Sequence, residues 1–302
     1  MNIVVCMKQV PDTWAERTLR PDDSRLDRAS VDGVINELDE YAIEEGLRLA
    51  EANGGEVTIL SMGPEKASES IRKALSMGAD KAVHIIDDAL AGSDALETSA
   101  VMAQVLGRIG FDLVILGAES TDARMGVMAA MLAERLGVPQ VSLASKVEVD
   151  GTTLRIHRQQ DYGYDKVESS LPAVISVVEK INEPRYPSFK GIMAAKKKPV
   201  ETLSLADLGV DPSQVGLAAA ATEVVDFAQR PPRAAPNSAS RSRPAAASGP
   251  VQTTAGSPCR RARVSSSLVT FLTSPPACSA NTSTSAMPAC SSQESVVRPH
   301  LR

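Results

Sequence analysis

The sequence predicts an α/β fold with a mostly parallel sheet and helices on both of its faces. Short apolar runs alternate with helix-length amphipathic segments through the first half of the chain. Apolar residues make up 43% of the 302 residues but aromatic residues only 3%, so aliphatic side chains must fill the core. Strands that alternate with helices form parallel sheets whose two faces are both covered.

The individual elements follow from this alternation in order along the chain. The segment 40–52 is typical of the predicted helices. It has apolar residues at Tyr41, Ile43 and Leu47 and acidic residues at other positions, which is the spacing of an amphipathic helix. Strands are predicted at residues 2–7, 57–61, 82–86, 112–116 and 138–142, and helices at residues 40–52, 65–77, 94–109 and 127–136.

After residue 145 the pattern becomes rich in strands and then loosens. Residues 146–149 and 154–158 flank Asp150-Gly151, a dipeptide that favours a hairpin turn, and residues 173–178 predict a further strand. From residue 182 onward an extended arm is expected, with one short helix at 202–209.

The last 73 residues differ from the rest. Residues 1–229 carry 23 Lys and Arg against 36 Asp and Glu, whereas residues 230–302 carry nine Arg, no Lys and the single acid Glu294. Ser, Pro and Ala supply 37 of those 73 residues, a composition that buries too little apolar surface to become ordered. We therefore predict a disordered tail. Its composition resembles out-of-frame reading of a GC-rich gene, and a basic, Ser-rich regulatory tail is the alternative.

Composition excludes several function classes. The acidic body argues against nucleic-acid binding, and no apolar run approaches the ~20 residues that span a bilayer. The chain opens on an apolar strand and not on a targeting segment, so a cytoplasmic location is expected. His84, His157 and His300 are far apart, and no C-x-x-C spacing occurs, so no metal site is expected. Hydrolase, P-loop and dinucleotide motifs are missing, which leaves any chemistry to a bound cofactor.

In open parallel sheets, ligands bind beyond the carboxyl ends of the strands, here residues 7–14, 61–64 and 117–126. The segment 117–126 leaves a predicted strand and enters a predicted helix. The free N–H groups of that helix start, with Arg124 nearby, suit a phosphate. Such a loop, like the turn that ends at Pro64, also has a purely structural interpretation.

Five segments, in order along the chain, closely resemble the β subunit of electron transfer flavoproteins, and the match extends from residue 1 to about residue 233. They are CMKQVPD at 6–12, NELDE and AIEE within 36–45, SMGAD at 76–80, LPAV at 171–174, and NEPRY at 182–186 followed by IM at 192–193 and the Lys triplet at 196–198.

The resemblance implies an adenine nucleotide α-hydrolase-like fold and a heterodimer with an α subunit. In such a heterodimer FAD is held mostly by α and AMP is bound structurally in β. Electrons arrive from acyl-CoA and related dehydrogenases and leave for a quinone oxidoreductase, so the protein is a carrier and not an enzyme. The implied organisation is a nucleotide-binding domain at 1–181, a recognition loop and partner-clasping arm at 182–233, and the atypical tail at 234–302.

The resemblance also implies site residues. Trp14 and Leu38 fall near the flavin, and the amide of Asn36 could read adenine, although a helix-cap role is the alternative. The AMP-contacting positions are Cys6, Asn36, Glu37, Leu38, Asp39, Met62, Gly117, Ala118, Glu119, Ser120, Thr121, Asp122, Ala123, Arg124, Met125, Gly126, Val127 and Met128.

A recognition loop for partner dehydrogenases maps to residues 185–194. Phe189 stands at the position of its apolar anchor, where a large exposed side chain suits an interface hot spot. The alternative is that Phe189 packs back on its own arm, and the Lys triplet is interpreted as a solvated face. The expected partner-recognition residues are Arg185, Tyr186, Phe189, Ile192 and Met193.

The chain departs from the family pattern at two places. Gln159 stands where the family often has a Glu that pairs with the α subunit, although Asp161 nearby could substitute. The tail after residue 233 replaces a final helix that clasps α, so a weakened heterodimer is expected.

Two alternatives differ in cofactor. A bifurcating type would hold a second FAD in β, but residues 120–126 lack the D-G-D-T pattern associated with it. A stand-alone nucleotide-sensing module of the universal-stress type would be a homo-oligomer without flavin, and it leaves the arm after residue 182 unexplained.

Overall fold

The computed structural model describes residues 1–16, 18–222 and 224 of the chain. These residues belong to one compact unit. The predicted tail at 234–302 and the last part of the predicted arm lie outside the described residues.

The described residues form eleven strands. They are β1 (Asn2–Cys6), β2 (Gln9–Pro11), β3 (Gly33–Ile35), β4 (Glu56–Met62), β5 (Lys81–Ile85), β6 (Leu113–Gly117), β7 (Gln140–Asp150), β8 (Thr153–Gln160), β9 (Gly163–Ser170), β10 (Ala173–Val177) and β11 (Val200–Leu203).

Nine of these strands make a single sheet in the order β11-β5-β4-β1-β6-β10-β7-β8-β9, and β2 pairs with β3 in a separate ribbon. The pairings from β11 to β7 are parallel, whereas β8 pairs antiparallel with both β7 and β9. The predicted mostly parallel sheet is therefore confirmed.

Six α-helices accompany the strands in the described part of the chain. Every one of them is too short or too polar to span a bilayer. They are α1 (Glu37–Asn53), α2 (Ala67–Met77), α3 (Ala95–Ile109), α4 (Met128–Leu136), α5 (Phe189–Ala195) and α6 (Leu205–Leu208).

The helices cover both faces of the sheet, as predicted. Ile43 of α1 and Ile71 of α2 belong to the core on one face, together with Ile3 and Val5 of β1. Val105 of α3 belongs to the core on the other face, with residues of α4 and of β1, among them Val4 and Cys6. Because β1 is buried from both sides, its sequence is a continuous apolar run and was recognisable as a strand.

Several strand predictions need correction. The separate strands predicted at 138–142 and 146–149 are one strand, β7, with a register shift between Ala144 and Lys146 where it pairs with β8. That irregularity interrupts the apolar alternation and divides one strand into two apparent ones. Prediction also missed β9, because this outer strand has a largely polar sequence with exposed residues at every second position.

The arm is more structured than its sequence indicated. Residues 202–209 were predicted as one helix, but Val200–Leu203 forms β11, which pairs with β5, and only Leu205–Leu208 is helical. Ser204 separates the two elements because its side chain caps α6 in a reciprocal capping box with Asp207. The ribbon of β2 and β3 was missed as well, since three-residue strands carry no periodic signal.

Candidate functional site

The strand order places a switch point at β1. Its neighbour on one side is β4, reached through α1, and its neighbour on the other side is β6, which is followed by α4. The connection after β1 leads to α1 on one face of the sheet, and the connection after β6 leads to α4 on the other face. The two connections therefore separate at the carboxyl ends of β1 and β6. Open α/β sheets bind ligands at such a point.

Lys8, directly after β1, joins the elements around this point. Its backbone N–H donates to Asp39 Oδ2 at 2.8 Å, its carbonyl accepts from the N–H of Asn36 at 2.9 Å, and its Nζ donates to Asp122 Oδ1 at 2.9 Å. One residue thereby connects β1, the start of α1 and the loop after β6. These contacts give a physical role to the Lys of the CMKQVPD segment.

Asn36 holds the loop after β6 against α1. It is the N-cap residue of α1, but its side chain makes no capping hydrogen bond and is 1% exposed. Its Nδ2 donates to the carbonyl of Glu119 at 3.0 Å, and its Oδ1 accepts from the N–H of Thr121 at 2.9 Å. Both ends of the amide are therefore engaged by the loop, and Nδ2 also donates to Asp39, so only Oδ1 keeps one position for a ligand.

Asp39 fixes the close approach of α1 and β6. Its Oδ1 accepts from the N–H of Gly117 at 3.2 Å. A Cβ at Gly117 would lie 2.5 Å from that same oxygen and 2.8 Å from Cβ of Leu38, so only glycine fits here. Burial raises the pKa of Asp39 to about 6, although hydrogen bonds from Lys8, Asn36 and Gly117 oppose the shift.

This pKa predicts a pH dependence of stability. Because the folded value of about 6 exceeds the ordinary aspartate value, the contribution of Asp39 to the free energy of unfolding is largest below pH 4. It should fall by about 3 kcal/mol as the pH rises to 6 and stay constant above. An NMR titration of the Asp39 carboxyl carbon should show a midpoint near pH 6. The free energy of unfolding of Asp39→Asn should depend less on pH between about 4 and 6 than that of the unchanged protein. A midpoint below 4 would contradict the assignment.

Asp122 clamps the loop after β6 with two cations. Its side chain is 1% exposed and pairs with Lys8 Nζ and with Nη2 of Arg28, which belongs to the long segment between β2 and β3. Burial alone would raise the pKa of Asp122, but the charges of Lys8 and Arg28 outweigh it and hold the pKa below its usual range. The structure thus adds Lys8 and Arg28 to the residues that organise the site.

The helices around the switch point begin without side-chain caps. The N-cap residues of α1, α2 and α4 make no side-chain cap hydrogen bond, whereas Asp94 caps α3 in a full capping box. Acidic residues occupy the first turns of α1 and α2 but not that of α4. The start of α4 therefore combines uncapped N–H groups, the positive end of the helix dipole and a first turn without a carboxylate, which favours an anion.

Arg124 and Gly126 shape the approach to α4. Both have left-handed backbone conformations, with φ of 52° and 64°, and both are exposed. The exposed Arg124 leaves its positive charge available near the start of α4. The exposed loop residues that precede this helix also include Ala123 and Met125.

Cys6 and Met62 lie at the ends of the neighbouring strands β1 and β4. The Cys6 side chain is 4% exposed and packs in the core on the α3 and α4 face. Burial, with the nearby charge of Asp39, raises the pKa of its thiol, which disfavours the reactive thiolate. Met62 is half-buried. Next to it, Oγ of Ser61 is buried without a hydrogen-bond partner among the described residues.

A cavity of about 300 Å³ adjoins the loop after β6. Four of its lining residues were predicted as site residues, and four others, from β7, from β10 and from the segment after β10, were missed. Leu143 is notable among the latter because its φ of 60° is strained for a leucine. The lining residues are Leu38, Ala118, Glu119, Gly126, Ser142, Leu143, Ser176 and Glu179.

Trp14 lies in the segment between β2 and β3. Trp14 is 94% exposed, and its backbone N–H donates to Asp12 Oδ1 at 3.0 Å. Neighbouring Thr13 donates through Oγ1 to Glu37 at the start of α1, which places the Trp14 backbone close to the site. A large apolar surface is therefore exposed at this edge.

The predicted recognition residues form an exposed apolar patch on and before α5. Phe189 is 81% exposed and Tyr186 is 94% exposed, and Ile192 and Met193 are about half exposed. Arg185 differs from them because its guanidinium binds Glu44 and Glu51 of α1 and is not free. The exposure of Phe189 argues against the alternative that it packs on its own arm.

Lys198 corrects the interpretation of the Lys triplet as a solvated face. Its Nζ donates to the carbonyls of Leu75, Gly78 and Ala79 at 3.0, 3.0 and 2.6 Å. These carbonyls lie at the end of α2, where a cation also interacts favourably with the helix dipole. Lys196 and Lys197 are exposed, as expected.

Comparison with known proteins identifies the family. A family described as "Electron transfer flavoprotein domain" matches residues 24–208. The electron transfer flavoprotein subunit beta of Mycobacterium tuberculosis (strain ATCC 25618 / H37Rv) is 52% identical over 240 residues, which cover 78% of this chain and 90% of the relative. The corresponding subunit of Clostridium acetobutylicum is 41% identical over 224 residues, covering 74% and 86%. The "Caffeyl-CoA reductase-Etf complex subunit CarD" of Acetobacterium woodii is 36% identical over 226 residues, with the same coverage.

Proposed function

The chain belongs to the electron transfer flavoprotein β-subunit family, and from that membership we propose that it forms a cytoplasmic heterodimer with an α subunit. In this proposal FAD is held mostly by α and supplies the electron acceptor and donor. Acyl-CoA and related dehydrogenases deliver the electrons, and a quinone oxidoreductase receives them. The chain itself is a carrier subunit that binds AMP and docks the donor.

The start of α4 is the observation that carries the AMP proposal. It has uncapped N–H groups, no acid in its first turn and Arg124 in the preceding loop, and it lies at the switch point of the sheet. These groups would hold the phosphate. The unpartnered Ser61 Oγ and the remaining acceptor position of Asn36 Oδ1 would serve the polar groups of the nucleoside.

Trp14 and Leu38 support a place for the flavin at the edge of β. The exposed indole of Trp14 and the half-buried Leu38 offer apolar surface, and a hydrogen bond from Thr13 to Glu37 connects the Trp14 segment to the start of α1. A planar flavin held by another subunit could pack against such surface. The role of β would then be to cover the ring and to exclude water from it.

The electron-carrier proposal is tested with the chain co-expressed with its α subunit. The heterodimer should be yellow, and a dehydrogenase reduced by its acyl-CoA substrate should bleach the flavin absorbance. A colourless heterodimer, or a flavin that reduced dehydrogenases do not bleach, would refute the proposal.

The C-terminus leads to a separate prediction. If the residues after 233 replace a segment that clasps α, exchange of this tail for a family-like terminus should raise the yield of co-purified α subunit and the FAD retained per β chain. The comparison needs the same affinity tag on β in both versions. Equal yields and equal FAD retention would show that the tail does not weaken the heterodimer.

A second candidate places another FAD, instead of AMP, in β. The cavity of about 300 Å³ beside the loop after β6 is at the lower limit for ligand pockets, so its size suits a mononucleotide better than a dinucleotide. The absence of the D-G-D-T pattern from residues 120–126 also opposes this candidate. Two FAD per heterodimer would establish this candidate, and one FAD with one AMP would exclude it.

A further inference from the structure

The patch that carries Phe189 belongs to a segment held at both ends. We define residues 182–198 as the docking segment, which contains α5. Its first part lies on α1 and its last part on α2, and both supports belong to the same face of the sheet. An exposed apolar side chain on a short helix gains affinity for a partner when its backbone is fixed before binding.

Arg185 makes the principal contact at the first end. Its Nε donates to Glu44 Oε2 at 2.7 Å and its Nη2 to Glu44 Oε1 at 3.0 Å, a two-pronged pair, and its backbone N–H also donates to Glu44. Its Nη1 donates to Glu51 Oε1 at 2.6 Å. The Glu44 side chain is only 8% exposed, so this pair is shielded from solvent.

Further contacts support the same arrangement. Asn182 Nδ2 donates to the carbonyl of Tyr41 and to Glu45 Oε2, both at 3.0 Å. The two bound carboxylates raise the pKa of Arg185, as expected for a guanidinium held by two acids. The docking segment thus crosses α1 through specific polar contacts and not through an apolar core.

The other end is fixed on α2. Arg72 Nη1 donates to the carbonyls of Ala195 and Lys198 at 2.8 and 2.9 Å, and Lys198 reaches back to the end of the same helix. Gly191 lies so close that a Cβ there would be 2.5 Å from the Ser76 carbonyl oxygen. Between these two anchors the large apolar side chains of α5 that face solvent are Phe189, Ile192 and Met193.

We propose that Arg185 is a positioning residue: it does not contact the electron donor, but its pairing with Glu44 and Glu51 fixes Phe189 for docking. This inference rests on the proposed function and adds to it, because Arg185 was expected among the partner-contacting residues. The pairing organises the free protein before any donor arrives. Its loss should therefore weaken docking without slowing electron transfer in the docked complex.

The test uses the heterodimer with α and an acyl-CoA dehydrogenase reduced by its substrate. Arg185→Gln should raise the KM of the dehydrogenase for the heterodimer about fivefold or more, while kcat changes less than about twofold. Hydrogen exchange of the amides in 189–195 should become about tenfold faster. Arg155→Gln, which removes an exposed arginine of β8 that pairs with Asp150 and Glu168, is the matched control and should change neither.

A second substitution separates positioning from direct contact. If Arg185 acts through Phe189, the double variant Arg185→Gln/Phe189→Ala should have the KM of Phe189→Ala alone. Multiplied effects in the double variant, or unchanged exchange in Arg185→Gln, would overturn the proposal. An unchanged KM in Phe189→Ala would instead refute the docking role itself. If Arg185→Gln fails to fold, Glu51→Gln at the exposed end of the pairing should give a smaller rise in KM in the same direction, and no rise would count against the proposal.

Discussion

Replacing Phe189 by alanine should raise the KM of an acyl-CoA dehydrogenase for the heterodimer about 10- to 30-fold, with little change in kcat. Phe189 is 81% exposed, and the backbone around it is fixed on α1 and α2. A large side chain held in this way loses little conformational freedom on docking, which is the property of an interface anchor. The change is measured by the initial rate of flavin reduction at a fixed dehydrogenase concentration and increasing concentrations of the heterodimer.

Leu96→Ala is a suitable control for this substitution. Leu96 is an exposed apolar residue of α3, on the opposite face of the sheet, with 44% of its surface accessible. KM should be unchanged in this variant. An equal rise in KM for both variants would mean that Phe189 acts through general stability and not through docking.

Replacing Asp122 by asparagine should weaken retention of AMP about tenfold or more and lower the free energy of unfolding by about 1–3 kcal/mol. The side chain of Asp122 is 1% exposed and is the common partner of Lys8 and Arg28. The neutral amide leaves both cations without their counter-charge and releases the loop that leads to α4. Retention is measured as adenylate released per heterodimer, and stability by urea unfolding.

The stability effect of this substitution should depend on pH in a defined direction. The pKa of Asp122 is lowered in the fold, because Lys8 and Arg28 outweigh the effect of burial. Its contribution is therefore present above about pH 4, the ordinary aspartate value, and is lost as the pH falls further. Glu148→Gln, in an exposed pair with Lys146, should have almost no effect on stability. Equal losses in the two variants would contradict the clamp.

The central architecture could be predicted from the sequence because its signals are local. β1, β4 and β6 are buried on both faces, so each is a continuous apolar run, and the helices between them show amphipathic spacing. Polar edge strands carry no such signal. For this reason β9 was missed, and the end of β11 was predicted as part of one helix together with α6, whose N-cap is Ser204.

The site could be located but not assembled from the sequence. The loop after β6 follows a strand end, which sequence reasoning can identify. Its clamp depends on Arg28, which is 94 residues from Asp122 and lies in a segment without periodicity. Arg185 and Glu44 are 141 residues apart, and no sequence pattern indicates that they pair. For this reason the sequence predicted that Arg185 contacts a partner protein. Such long-range ion pairs depend on the fold and become visible only with it.

The nucleotide content of the purified heterodimer tests the central claim most directly. Acid-released nucleotides from the chain co-expressed with its α subunit should contain one AMP and one FAD per heterodimer, and Asp122→Asn should lose AMP while it keeps FAD. A heterodimer that releases no adenylate besides FAD, or an AMP content unaffected by Asp122→Asn, would contradict the assignment of the crevice between β1 and β6 as the AMP site.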